Sequence, residues 1–255
     1  MTSPIIIYII APYIEKLKIM LAPEMNQRSM KNQIRSKQRV RDYGEVYTPP
    51  EIVNAMLDLV KQETERIDSR FLEPACGTGN FLTEILRRKL DVVEKTYRRS
   101  QLDFERNMVL AVSAIYGIDI LEDNVIACRQ QLFEIADERY TALFNAKTKE
   151  ACRRTLCYIL AKNIIWGDAL ELKTVGPETH QIIFAEWSFP LHNSLIKRRD
   201  FVFAELFPNE FTQQDDLFTK NNVYVSDRGE RVFVPTETRS YPLVHFLKVS
   251  EAYGD

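Results

Sequence analysis

The sequence has few of the residues that build metal centres and disulfide frameworks. It contains four cysteines and three histidines in 255 residues. No two cysteines form a Cys-x-x-Cys pair, and the three histidines are scattered along the chain. These absences argue against a zinc site and against a disulfide-rich secreted fold. The sequence therefore predicts reduced thiols and no bound metal ion.

Long apolar runs are also missing. The opening segment, residues 4–14, is apolar but too short to cross a bilayer, and it lacks the basic lead-in and the cleavage site of a signal peptide. We therefore expect no membrane anchor and a cytoplasmic location.

An excess of positive charge, which marks a self-sufficient DNA-binding protein, is absent as well. Lysine and arginine total 34 against 36 acidic residues, so the formal net charge is −2. Any contact with DNA must therefore be local or shared with another chain. The local candidate is residues 27–41, which contain six basic residues and no acidic one. A phosphate-binding arm and a solvated N-terminal arm both explain this segment.

Only eight glycines occur, and two of them lie two positions apart in the segment Phe71-Leu-Glu-Pro-Ala-Cys-Gly-Thr-Gly-Asn-Phe81. The apolar residues before them predict a short buried strand, and Gly77 and Gly79 permit a tight turn that a ligand can approach closely. Apolar residues then recur at helical spacing, from Leu82 to Leu90. Because a helix N-terminus presents free amides, the segment predicts a loop that binds a nucleoside cofactor.

This loop resembles the S-adenosylmethionine loop of the exocyclic-amine DNA methyltransferases of restriction-modification systems. A second segment, Gly44-Glu-Val-Tyr-Thr-Pro-Pro50, resembles the element that precedes the loop in the adenine-modifying members. The similarity runs from about residue 39 to residue 184. It implies an enzyme that binds S-adenosyl-L-methionine and transfers its methyl group to adenine flipped out of duplex DNA.

The order of the predicted elements indicates an α/β fold. Apolar runs at residues 114–120 and 163–170 predict two further strands, which end in Asp119 and Asp168, and residues 181–185 predict a fourth strand of the same sheet. We expect a doubly wound, mostly parallel sheet of the Rossmann-like class I methyltransferase type. The predicted domains are residues 1–38, a basic N-terminal extension; 39–190, the methyltransferase domain; and 191–255, a small irregular extension with a hairpin turning at residues 227–229.

The resemblance and the strand order together imply a cofactor site at the carboxyl ends of the strands. The glycine loop would take the methionyl end, and Thr48 would approach its carboxylate. Asp119 would accept hydrogen bonds from the ribose hydroxyls and Asp168 from the adenine amine. The full set of expected cofactor residues is Tyr47, Thr48, Glu73, Ala75, Gly77, Gly79, Asn80, Phe81, Asp119, Ile120, Asp168 and Ala169.

The catalytic tetrapeptide of the family, Asn/Asp/Ser-Pro-Pro-aromatic, is missing after the fourth predicted strand. Residues 184–190 stand there instead, and the only Pro-Pro pair in the sequence belongs to the upstream element. Within the segment, Glu186 is a candidate acceptor for an amine proton, and Trp187 and Phe189 are candidates to stack on a base. Three readings stay open: a split enzyme completed by a second methyltransferase or specificity polypeptide, a divergent self-sufficient enzyme, and a non-catalytic cofactor-binding regulator.

Overall fold

The computed structural model describes residues 7–9, 48–206, 223–225, 231–233 and 237–254. Tyr47 and the basic segment 27–41 lie outside the described residues. The helices are α1 (Pro50–Asp58), α2 (Lys61–Thr64), α3 (Asn80–Tyr97), α4 (Gln101–Ser113), α5 (Glu122–Phe144), α6 (Glu150–Asn163) and α7 (Val249–Ala252). The strands are β1 (Ile7–Ile9), β2 (Arg70–Glu73), β3 (Ile115–Asp119), β4 (Ile164–Asp168), β5 (Lys173–Thr174), β6 (Ile183–Ser188), β7 (Leu195–Val202), β8 (Val223–Val225), β9 (Arg231–Phe233), β10 (Glu237–Ser240) and β11 (Val244–His245).

The first sheet is mixed and has the order β1-β2-β3-β4-β5. β1 to β4 are mutually parallel, whereas β5 pairs with β4 in the antiparallel sense. The parallel pairing of β2, β3 and β4 agrees with the sequence prediction. Because parallel strands end at the same edge, Glu73, Asp119 and Asp168 all lie at one edge of this sheet.

The helices form a layer on one face of the first sheet. α3 and α4 connect β2 to β3, and α5 and α6 connect β3 to β4, so the two crossovers proceed in the same direction across the sheet. Phe71 and Ile115 project from the strands into the main core, where they meet apolar side chains of these helices. Ser100 caps α4, since its side chain accepts a hydrogen bond from the Asp103 amide at 3.4 Å.

The opposite face of the sheet packs against β6 and the 3-10 turn that follows β7. Leu72, Tyr116 and Ile118 meet Phe184 and Phe203 in a second, smaller core. The chain is thus a mixed α/β protein, but the opposite face of its first sheet is covered by β6 and a 3-10 turn, where the doubly wound prediction requires helices.

The second sheet is antiparallel and corrects one prediction. Residues 181–185 were expected to add a strand to the parallel sheet, but β6 pairs along its length with β7, and β10 and β11 pair with the other edge of β7. A short connection joins β6 to β7, and such a connection permits antiparallel pairing, whereas a parallel neighbour needs a long crossover.

The part of residues 191–255 that the structure describes is regular rather than irregular. Ile196, Phe246, Val249 and Tyr253 belong to the same core as the helices of the first sheet. The predicted hairpin is present as antiparallel pairing of β8 with β9, although its turn lies outside the described residues. No described helix is both long and apolar enough to span a membrane.

Candidate cofactor site

The glycine loop, residues 74–79, connects the end of β2 to the start of α3. Gly77 and Gly79 have φ angles of +51° and +97°, which is the left-handed region that favours glycine. The Cys76 amide donates to the Ile118 carbonyl at 2.9 Å, so the loop is attached to β3. The first-turn amides of α3 follow directly, and they face the same edge of the sheet as the loop.

Asp119 organises this edge through both of its carboxylate oxygens. Oδ2 accepts a hydrogen bond from the Gly77 amide at 2.8 Å. Oδ1 accepts from the Leu121 amide at 2.9 Å and from Asn124 Nδ2 at 3.2 Å. The side chain therefore joins the glycine loop to the first turn of α5. Since each carboxylate oxygen has two acceptor sites, Oδ2 can also bind a ligand hydroxyl.

Glu73 ends β2 beneath the loop and is only 4% exposed. Among the described residues, its Oε2 atom has no hydrogen-bond partner. Burial raises the pKa of this carboxyl to about 8, while a hydrogen bond with the Ala75 backbone opposes the shift. A buried carboxyl oxygen without a partner is suited to a ligand that brings a hydrogen-bond donor or a positive charge.

The upstream element contacts the start of α3. Asn80 Nδ2 donates to the Thr48 carbonyl at 3.3 Å, across 32 positions of sequence. Thr48 and Pro49 precede α1, which begins at Pro50. This contact brings Thr48 to the start of α3, where a carboxylate would meet the helix amides.

Asp168 ends β4 and caps the turn after it. Its Oδ1 atom accepts from the amides of Leu170 and Glu171 at 2.8 and 3.2 Å. Ile120, at the end of β3, is 41% exposed, and its carbonyl accepts a hydrogen bond from Trp166. Both positions lie at the edge that also holds Glu73 and Asp119.

Three other expected cofactor residues differ in their surroundings. The Ala75 side chain is exposed within the glycine loop, whereas Phe81 is buried in the main core. Ala169 packs against the smaller core. These contacts give Phe81 a role in holding α3 against the sheet.

Sequence reasoning missed two residues of this site, Asn124 and Cys128, both on α5. Asn124 is 1% exposed and donates to Asp119. Cys128 Sγ lies 2.8 Å from the position that a Cβ atom at Gly79 would occupy. Its hydrogen bond with Cys76, together with burial, raises the pKa of the Cys76 thiol. No motif marks either residue, because their contacts join segments that are distant in sequence.

The catalytic candidates lie toward the other edge of the first sheet, where β2 and β4 begin. Glu186 is 5% exposed and pairs with Arg70 at 2.8 Å and with Arg199. Arg70 begins β2, whereas Glu73 ends it, and the length of the strand separates the two by about 10 Å. Both carboxylate oxygens of Glu186 are therefore engaged by guanidinium groups.

Trp187 is at the same remote edge, and Phe189 follows it by two residues. Trp187 is 2% exposed, and its Nε1 donates to Asn163 Oδ1 at 2.9 Å, directly before β4 begins. Phe189 is half-buried, and its ring centroid lies 6.4 Å from that of Phe246. The structure therefore gathers the expected cofactor residues that it describes at one edge and places Glu186, Trp187 and Phe189 away from them. Among the described residues there is no group of three or more His, Cys, Asp or Glu side chains that could hold a metal ion.

Comparison with known proteins identifies the family of the chain. The family described as "MmeI, DNA-methyltransferase domain" matches residues 51–186, which include β2, the glycine loop, Asp119 and Asp168. The "Type I restriction enzyme MjaVII methylase subunit" of Methanocaldococcus jannaschii is 38% identical over 82 residues, which cover 30% of this chain and 13% of that protein. No solved structure matches. The family match covers more than half of the chain, and the chain therefore belongs to the MmeI-type DNA-methyltransferase domain family of restriction-modification systems.

Proposed function

We propose that the protein binds S-adenosyl-L-methionine and is the cofactor-binding component of an adenine-specific DNA methyltransferase. The observation that carries the proposal is the joint arrangement of Glu73, the glycine loop and Asp119 at one edge of the sheet. When bound, the cofactor supplies an activated methyl group. The residues of this chain bind and orient it.

The proposed contacts follow from the chemistry of the residues. The partnerless Oε2 atom of Glu73 would accept from the ammonium group of the methionyl end, since both lie beside the glycine loop. Free amides of α3 would receive the methionyl carboxylate. Asp119 Oδ2, already held by the Gly77 amide, would accept from a ribose hydroxyl. Asp168 and Ile120 would lie beside the adenine ring. The Rossmann-like assignment is part of this proposal, as is the placement of the cofactor contacts within residues 39–190, whose core the later segments complete.

The acceptor side of the reaction is proposed to come from a second polypeptide. Glu186, Trp187 and Phe189 stand at the family's catalytic position. Glu186 pairs with Arg70 and Trp187 donates to Asn163, at the edge opposite the glycine loop. A base flipped toward the cofactor would not meet these side chains. A partner would therefore contribute the catalytic tetrapeptide and the surface that reads the duplex DNA sequence. The methylase subunit from Methanocaldococcus jannaschii, by its name, belongs to a type I restriction enzyme, which supports a shared assembly.

Cofactor binding is tested by calorimetry with S-adenosylmethionine and the purified chain. Saturable binding supports the proposal, and its absence with a folded chain refutes it. The reaction is tested by transfer of tritiated methyl groups to mixed-sequence DNA, with and without the product of the neighbouring gene.

The transfer assay separates the three readings of the sequence. Activity that requires the neighbouring gene product supports the split enzyme. Full activity of the chain alone, lost on changing Trp187 or Phe189, would establish a divergent self-sufficient enzyme. Cofactor binding without transfer in either condition would favour a regulatory protein.

A further inference from the structure

A cavity of about 560 Å³ lies at the far end of α3, where that helix meets α5. An 18-residue helix is about 27 Å long, so the cavity is well separated from the glycine loop at the start of the same helix. Its lining is mostly charged and consists of Asp91, Glu94, Lys95, Thr96, Arg98, Arg99 and Arg139. The four cations and two carboxylates give the lining a net charge of +2.

The two carboxylates are both used by one cation. Arg139, on α5, pairs with Asp91 at 2.5 Å and with Glu94 at 3.2 Å. On an isolated helix the favourable pairs would be Asp91 with Lys95 and Glu94 with Arg98, because residues four apart are neighbours. Instead, Asp91 and Glu94 both pair with Arg139 of α5. Across the described residues, Lys95, Arg98 and Arg99 form no ion pair, and all three are exposed.

Helix stability alone explains only part of this charge. Cations near a helix C-terminus are stabilising, by about 0.3–1 kcal/mol each at the surface, and the effect falls off within the last turn. Here Lys95, Arg98 and Arg99 all line the cavity, and Arg139 is held in the cavity wall by two carboxylates. Guanidinium groups match phosphate oxygens in planar, two-point geometry, and lysine adds a mobile point charge.

We propose that this cavity binds the phosphate groups of an anionic ligand through Lys95, Arg98 and Arg99, while Arg139 remains paired with Asp91 and Glu94. The volume is large enough for two or three linked phosphates. Both a free oligophosphate and the backbone of a nucleic acid present this chemistry. The inference is independent of the proposed cofactor site, because its groups lie at the opposite end of α3.

The test compares two triple variants that lose the same charge. Lys95→Ala/Arg98→Ala/Arg99→Ala removes the unpaired cations of the cavity. Lys61→Ala/Arg87→Ala/Lys248→Ala removes three exposed cations elsewhere and serves as the control. Tripolyphosphate binding is measured by calorimetry, and binding of a short DNA duplex by fluorescence anisotropy over a range of salt concentrations. S-adenosylmethionine binding, measured in parallel, reports on the other site separately.

We expect the cavity variant to bind tripolyphosphate, duplex DNA or both about tenfold more weakly than the control. If DNA is the ligand, the slope of log affinity against log salt should also become shallower by about 2 to 3. Loss of tripolyphosphate binding alone would identify a free oligophosphate as the source. Equal binding by the two variants, or no binding of either probe to the wild-type chain, would overturn the proposal, whatever the result with S-adenosylmethionine.

Discussion

Asp119 is the residue on which the proposed site depends most. It holds the loop amide of Gly77, and it is itself held by Leu121 and Asn124 on the α5 side. We expect Asp119→Ala to weaken S-adenosylmethionine binding by about 1.5 to 3 kcal/mol, or roughly 10- to 150-fold, because a charge-assisted contact is lost and the loop amide is released. Calorimetry measures the effect. Glu122→Ala, an exposed change in the same turn, is the control and should leave the affinity unchanged, and equal affinities for both variants would refute the role given to Asp119.

Burial of Glu73 predicts how the stability of the folded protein depends on pH. Its carboxyl has an ordinary pKa of 4.5 in the unfolded chain and about 8 when buried. Between these values the folded state binds more protons than the unfolded state, so the free energy of unfolding falls as pH rises from about 5 to 8. Glu73→Gln removes the titrating group and should flatten this dependence, as measured by urea unfolding at several pH values. An unchanged profile in the variant would contradict the assignment.

The same carboxyl predicts how cofactor affinity changes with pH. A cationic ammonium group beside Glu73 favours the ionised carboxylate, and ionisation becomes easier as pH approaches 8. S-adenosylmethionine should therefore bind more tightly at pH 8 than at pH 6. In buffers of different ionisation enthalpy, calorimetry should detect proton release on binding. Glu73→Gln should abolish both effects.

At the scale of elements, the glycine loop leads into α3 and also packs closely against α5. Gly79 has a φ angle of +97°, and a Cβ atom there would lie 2.8 Å from Cys128 Sγ. We expect Gly79→Ala to destabilise the protein by about 1–3 kcal/mol, through backbone strain and the steric clash together. Cys128→Ala in the same background should recover the steric part only. Thermal unfolding of the single and double variants measures both contributions, and full recovery or none would show that one of them is absent.

The sequence predicts three of the five strands of the first sheet, β2, β3 and β4, and it predicts the pairing of the second sheet poorly. β2, β3 and β4 are short apolar runs that each end in an acid, and helices follow β2 and β3. This pattern is typical of parallel strands with crossovers. β6 is an equally apolar run, but its sequence fits a parallel or an antiparallel strand. Its pairing depends on β7, whose buried Arg198 and Asp200 do not read as a core strand. Likewise Asn124 and Cys128 reach the site only through the tertiary fold.

The buried charges of β7 show why the sequence pattern does not predict the second sheet. Arg198 forms a two-point ion pair with Asp200, with both nitrogen–oxygen distances at 2.8 Å. Its guanidinium lies 4.2 Å from the centre of the Tyr241 ring and 5.8 Å from that of Trp187. Aromatic faces stabilise a cation that is removed from water. Arg198 is therefore compatible with the core because Trp187 of β6, Asp200 of β7 and Tyr241 meet around it.

At the scale of the whole molecule, the described C-terminal segments complete the core rather than extend it. Thr155, on α6, donates to the Phe246 carbonyl at 2.7 Å, and the Tyr253 ring packs beside that of Trp187. Phe246 and Val249 are fully buried. A boundary at residue 190 would consequently divide one core between two parts of the chain.

A fragment ending at residue 190 should therefore not fold as a stable unit. Burying one large apolar side chain contributes about 1.5–3 kcal/mol, so losing Phe246, Val249 and Tyr253 removes roughly 5–9 kcal/mol. This is comparable to the whole stability of a typical domain, about 5–15 kcal/mol. We expect residues 39–190 to show no cooperative transition in urea, while residues 39–255, the matched control, unfold cooperatively. A cooperative transition of the shorter fragment at the same urea concentration would instead establish residues 39–190 as an independent domain, and the strands and helix that follow as an accessory layer.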